Sequence, residues 1–257
     1  MSERVERFEI QGAPRLSVRL PAGELRIVAG ASGEVVVRAR GAEADLGRLI
    51  IAGRGDTVSV EVERSGWGRW ASIDVEVAVG AAPDLRARLA SGSLVLRTDA
   101  AAVEVAGASG DVEAGSVAGR LVARLASGSL TAEAAGGLDV VAASGDVRVG
   151  RVSGAAAVKT ASGDITLGTV AGDLTAGTAS GDLTVSRFDG GRLEARTVSG
   201  DARVGVPAGR RYSLLLQSLS GDVRSDFPCC APGEAALGRL QVTTVSGDIC
   251  LSAAEGN

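Results

Sequence analysis

Residues 162–182 read SGDITLGTVAGDLTAGTASGD. Ser-Gly-Asp returns after 18 residues, and a second Gly-Asp at Gly172 and Asp173 divides the interval in half. Between these punctuation marks the apolar residues alternate, as Ile165 and Leu167, then Val170, then Leu174 and Ala176. A period of two is that of short strands with one face inward. Glycine adopts positive φ without a Cβ clash and aspartate bonds nearby backbone amides, so each Gly-Asp reads as a sharp corner between strands.

The unit extends over most of the chain. The triplet recurs as Ser109-Gly110-Asp111, Ser144-Gly145-Asp146, Ser162-Gly163-Asp164, Ser180-Gly181-Asp182, Ser199-Gly200-Asp201, Ser220-Gly221-Asp222 and Ser246-Gly247-Asp248. With the Ser-Gly pairs at Ser91 and Ser127, the steps are 18, 18, 17, 18, 18, 19, 21 and 26 residues. A fixed period of this length is the signature of a stacked repeat, in which each coil buries its apolar face only against its neighbours. The expectation is an all-β fold, a single-chain β-solenoid of about nine 18-residue coils over residues 91–257. Residues 1–90 carry weaker echoes, AGELRI from Ala22 and SGEVVV from Ser32, beside the alternating runs TVSVEVE from Thr57 and SIDVEVAV from Ser72. They read as an N-terminal β cap or degenerate first coils, because an uncapped solenoid leaves a strand edge unpaired. The longest step holds SDFPCCAPGEAALG, an expected loop insertion near residues 225–238.

Composition limits the function classes. Apolar residues make 45% of the 257 but aromatics only 2%, so the interior is thin and lined by Ala, Val and Leu. The net charge is −4, and all 27 basic residues except Lys159 are arginine, with no basic stripe for a phosphate backbone. Nucleic acid is not expected as a partner. The N-terminal MSERVERFEI lacks the basic-then-apolar run of a secretory signal, and no apolar stretch is long enough to span a membrane. On those grounds the expected location is cytoplasmic. Cys229, Cys230 and Cys250 do not form a disulfide framework.

An irregular β region, the phrase VAVGAAPDLRARLASGSLVL from Val77, and then serial SGD-V-x-V units resemble the bacterial "putative adhesin" family of SGD-type β-strand repeats. That is a domain of unknown function. The resemblance implies a β-solenoid associated with cell-envelope or stress-response systems, and hence an envelope association for this chain. It carries over no catalytic residue.

In stacked coils Asp146, Asp164, Asp182, Asp201, Asp222 and Asp248 form a column from six successive coils. Carboxylates about 4.8 Å apart repel by about 0.9 kcal/mol per pair even in water. Two arrangements relieve this: bonds to the carboxylate's own turn amides, or a column of Ca²⁺ ions held by oxygen ligands. The calcium nonapeptide GGxGxDxUx is absent, so the first is expected and no cofactor is assigned. Each triplet serine keeps the parity of the inward residues before it, as in Ala176, Thr178 and Ser180. The corner device therefore reads as a serine hydroxyl ladder, a glycine bend and an aspartate cap.

Two departures from the repeat are candidate interaction sites. Trp67 and Trp70, in SGWGRW, stand either at an exposed hairpin tip or folded over the cap. Arg210, Arg211 and Tyr212 enlarge a corner by three residues, either as a solvated bulge or as a contact for an acidic partner. Without a single histidine, Ser-His and Cys-His nucleophile pairs are excluded. The expected function is a non-enzymatic interaction scaffold with an unknown protein or glycan partner. The alternatives are a filament-forming structural protein, which is a homo-oligomer through its terminal coils, and an acidic-residue enzyme acting on polysaccharides.

Overall fold

A computed structural model of the chain describes residues 2–63, 72–208, 210–226 and 238–254. The fold is all-β, with one four-residue helix, Glu43–Leu46, among the described residues. The chain divides into two compact units, Met1–Ala132 and Glu133–Asn257.

In the first unit, Arg15–Ala29 lies parallel to Asp84–Leu96, from Arg15 opposite Asp84 to Ile27 opposite Leu96. Ala102–Ser109 then follows Asp84–Leu96, and Val112–Ser127 follows Ala102–Ser109, with Ser91, Ser109 and Ser127 in register. The echo at Ala22 is therefore structural: Ala22 and Gly23 sit opposite Ser91 and Gly92. Thr57–Val62 and Ile73–Val79 also pair in parallel with Arg15–Ala29. The echo at Ser32 is different. Glu34–Gly41 runs antiparallel to Ile73–Val79, and Ser2–Glu9 antiparallel to Glu34–Gly41. SGEVVV thus opens a meander strand rather than a coil, since Gly33, at φ 81°, reverses the chain instead of bending it.

The second unit stacks two parallel ladders. One runs through Leu138–Ser144, Ala156–Ser162, Leu174–Ser180 and Arg192–Ser199. The other runs through Val147–Val152, Ile165–Val170, Leu183–Phe188 and Ala202–Pro207. The side chains that alternate in the sequence are the buried ones: Ile165, Leu167, Val170, Leu174 and Ala176 are each at most 2% exposed. Burying a Val or Leu stabilises by about 1.5–3 kcal/mol, so every coil holds its neighbours by a short apolar row on each face.

Chain order and stacking order then part. Arg192–Ser199 is followed in space by Gly238–Ser246, and Ala202–Pro207 by Ile249–Ala254. The intervening strands Tyr212–Ser220 and Val223–Ser225 lie on the far side of this last coil. The chain therefore climbs past one level, about 4.8 Å, and later returns to fill it. The irregular steps of 21 and 26 residues mark this exchange of neighbours, which the serial reading of the repeat did not anticipate.

Candidate functional site

The SGD corner is the feature of the second unit that repeats with all its chemistry. Its glycines sit at positive φ, from 121° at Gly145 to 148° at Gly221 and Gly247. At each corner below the outermost coil the glycine amide donates to the serine carbonyl of the next coil, as Gly163 to Ser180 at 2.9 Å. The residue after the aspartate donates likewise, as Ile165 to the Asp182 carbonyl at 2.9 Å. The bend leaves the intervening Asp amide aimed at the coil below without a main-chain acceptor, and the carboxylate supplies one.

The resulting ladder is continuous. Oδ1 of Asp146 accepts from the Asp164 amide at 3.0 Å, Asp164 from Asp182 at 2.9 Å and Asp182 from Asp201 at 2.9 Å. It continues with Asp201 accepting from Asp248 at 2.9 Å and Asp248 from Asp222 at 2.8 Å. Two expectations are corrected here. The carboxylates bond the next coil's amide rather than their own turn, and Asp222 ends the column instead of preceding Asp248. Asp111 does the same in the first unit, accepting from the Ser129 amide at 2.9 Å.

The second oxygens of Asp146, Asp182, Asp201 and Asp222 face arginines. Arg148 reaches Asp146 at 2.8 Å, Arg203 reaches Asp201 at 2.7 Å and Asp182 at 3.4 Å, and Arg224 reaches Asp222 at 3.2 Å. These guanidiniums relieve the repulsion along the column. The Asp164 amide bond, and after it Arg148, hold the Asp146 carboxyl below its ordinary value of 3.8. Among the described residues no group of three or more Cys, Asp or Glu is placed to hold a metal ion.

The serine hydroxyl ladder is also corrected. Ser144, Ser162, Ser180, Ser199, Ser220 and Ser246 are exposed, because the strand loses its inward parity one residue before the corner. The buried hydroxyls are those of Thr160, Thr178, Thr197 and Thr244. They donate to corner carbonyls: Thr178 to Gly163 at 3.3 Å, Thr197 to Gly200 at 3.3 Å, Thr160 to Ser162 at 3.2 Å. Ser218 occupies the same column and donates to Gly247 at 3.0 Å. The sequence signal was a Thr two places before each of these serines, in KTAS, GTAS, RTVS and TTVS.

Of the other candidates, Trp67, Trp70, Cys229 and Cys230 lie outside the described residues. Cys250 is a half-buried free thiol. Tyr212 is not a surface contact: it is 5% exposed, donates its hydroxyl to the Gly190 carbonyl at 3.0 Å, and lies 6.2 Å from the Phe188 ring. Arg210 is exposed and donates to the Asp189 carbonyl at 2.5 Å, and Arg211 is exposed beside it. Arg210 and Tyr212 thus anchor the step over a level, with tyrosine seated in the core as the pin.

The first unit has a shallow groove of about 140 Å³ lined by Glu24, Arg26, Arg38, Arg40, Asp74, Val75 and Glu76. Ligand pockets are usually about 300–1,000 Å³. The groove's charges are mutually engaged: Arg26 with Glu24, Arg38 with Glu76 at 2.9 Å, and Asp74 with the Glu24 amide at 2.9 Å. Arg40 pairs with Glu3 at 3.1 Å. Each acid of the groove is thus bonded to an arginine or a backbone amide. No helix among the described residues is long and apolar enough to cross a membrane.

Comparison with solved structures finds a putative adhesin from Parabacteroides distasonis, 9% identical, with a TM-score of 0.47 over 97% of both chains. A putative adhesin from Bacteroides fragilis is 12% identical, with a TM-score of 0.42 over 97% of both. A putative lipid binding protein, also from Parabacteroides distasonis, is 12% identical, with a TM-score of 0.45 over 98% of this chain and 97% of that one. No curated protein matches the sequence. The Toastrack DUF4097 family model matches residues 13–252, and the chain belongs to that family.

Proposed function

We propose that this protein is a non-catalytic β-scaffold that presents its outward strand faces to a protein or glycan partner. The observation that carries the reading is the use of the repeated polar groups. The Asp ladder and the glycine amides below the last coil hold coil to coil, and the buried Thr hydroxyls are spent on corner carbonyls of their own or the neighbouring coil, which leaves the outward columns to meet a ligand. One such column runs through Arg148, Thr166, Thr184 and Arg203 at single-coil spacing, its two threonines unclaimed by the ladder and its two arginines paired along one side with Asp146, Asp182 and Asp201. Guanidinium and hydroxyl groups repeated about 4.8 Å apart on a flat sheet match an extended polymer better than a compact small molecule. The absence of histidine and the paired charges of the first-unit groove argue against turnover.

The test is binding of the purified protein to arrayed glycans and to intact bacterial cells, repeated with T166D/T184D. Loss of binding in that variant supports the reading. Soluble products released from acidic polysaccharides would replace it with the enzyme reading. Cell fractionation with protease shaving places the activity: an accessible protein makes the partner extracellular, and a shielded one makes it an intracellular scaffold.

A further inference from the structure

The outermost coil of the second unit is built unlike the edge strand Ser2–Glu9 of the first unit. Tyr212–Ser220 pairs on one side with Gly238–Ser246, and among the described residues no strand pairs with its other side. Its inward residues Leu214 and Leu216 are half-buried, whereas their neighbours Leu240 and Val242 are 0% and 1% exposed. Val223 is 45% exposed where Ile249, its neighbour in register, is 1% exposed. The core therefore continues to this edge and stops there unfinished.

The outward column just before the serines adds a second observation. It is alanine in the inner coils, at Ala143, Ala161 and Ala179, and becomes Val198, Val245 and Leu219 toward the free edge. Leu219 is 83% exposed. Natural edge strands are usually blunted with charge. Ser2–Glu9, which has a single partner strand among the described residues, carries Glu3, Arg4, Glu6, Arg7 and Glu9. YSLLLQSLS at 212–220 carries no charge at all.

We propose that this edge is a homodimer interface, in which Tyr212–Ser220 pairs antiparallel with the same strand of a second copy. With the twofold axis at Leu216, Leu214 meets Ser218, Leu215 meets Gln217 and Ser213 meets Leu219. Inward residues meet inward residues, so the two unfinished cores join into one, and no like charges face each other. A twofold contact uses one patch on both copies and closes, so the product is a dimer. A filament would instead need this neutral edge to meet a single-partner strand of the first unit, Ser2–Glu9 with its five charges or Leu49–Arg54 ending in Arg54, whereas the twofold pairing sets neutral residues only against neutral ones.

The test is the mass of the full chain by analytical ultracentrifugation, with hydrogen exchange along residues 212–220, for the wild type and L215K/L219K. Both lysines point outward, so the coil keeps its core, but in the dimer they lie diagonally opposite across the new pairing. A wild-type dimer whose dissociation constant rises at least about tenfold in the variant, with unchanged circular dichroism, supports the interface. A wild type that is monomeric throughout overturns it, and protected edge amides in that monomer would assign the cover to the chain's own residues. Dimers that persist in the variant, or polymers that lengthen with concentration, overturn it as well.

Discussion

Replacing Gly181 by alanine tests the corner most directly. Gly181 sits at φ 140°, and a Cβ there would lie 2.3 Å from the Gly163 carbonyl oxygen and 2.7 Å from its carbon. The obstacle is backbone of the neighbouring coil, which the Gly163–Ser180 and Ile165–Asp182 hydrogen bonds hold on both sides. Two costs add: about 1–3 kcal/mol for an L-residue forced into this conformation, and a further ~1–3 kcal/mol for the displacement of packed backbone. Together, ~2–6 kcal/mol is a large share of the ~5–15 kcal/mol that stabilises a typical domain. Gly177, four residues earlier, is the control: its nearest atom would be the Arg196 carbonyl oxygen at 3.5 Å, and its φ is not positive. Gly177→Ala should be neutral or stabilise by up to about 1 kcal/mol, by reducing the freedom of the unfolded chain. Urea unfolding followed by far-UV circular dichroism reads both variants. If G181A unfolds at the wild-type midpoint, or G177A is as harmful, the glycine column is not what sets the corner.

Other outcomes follow from the same corner. Asp164→Asn keeps an acceptor for the Asp182 amide and should cost little, whereas Asp164→Ala orphans that amide and should cost about 1–2 kcal/mol; equal losses in urea melts would count against the amide role. The Asp146 carboxyl is depressed below 3.8 in the fold, so its stabilisation is complete above the unfolded value and is lost as pH falls through the lower folded one. Acid titration of stability should therefore turn down below about pH 3.8, and D146N should flatten part of that fall; an unaltered profile in the variant would remove Asp146 from the account. Tyr212→Phe deletes the buried bond to the Gly190 carbonyl and should lower stability by about 1 kcal/mol, with faster hydrogen exchange confined to residues 212–225. Exchange that rises evenly over the second unit instead would mean that the tyrosine is not a local pin.

The corner was only partly legible because one local pattern serves two chemical arrangements. A Ser at even spacing from Ala176 and Thr178 has inward parity on paper, yet the glycine bend turns the strand before the serine is reached and leaves Thr178 as the buried hydroxyl. The Asp side chain was readable as a backbone cap. The donor it caps lies 18 residues away in sequence and one level away in space, a distance that turn chemistry does not encode. Tyr212 misled for a related reason. Next to two arginines it looks like a surface patch, and only the level step places its ring against Phe188.

By itself the sequence determined the local geometry: strands from the alternation, corners from Gly-Asp, and an 18-residue coil from the spacing. All of these are short-range properties of backbone conformation and burial. The order of the last coils was decided only in the tertiary structure. Units ending in Ser199, Ser220 and Ser246 offer the same ladder to any neighbour, so local pattern cannot choose among them. The place beside Leu193 and Ala195 is filled by contacts 47 residues apart in sequence, which no local pattern carries. Leu240 and Val242 of the last coil take that place, and the leucine-rich coil of residues 212–225 is left at the open end.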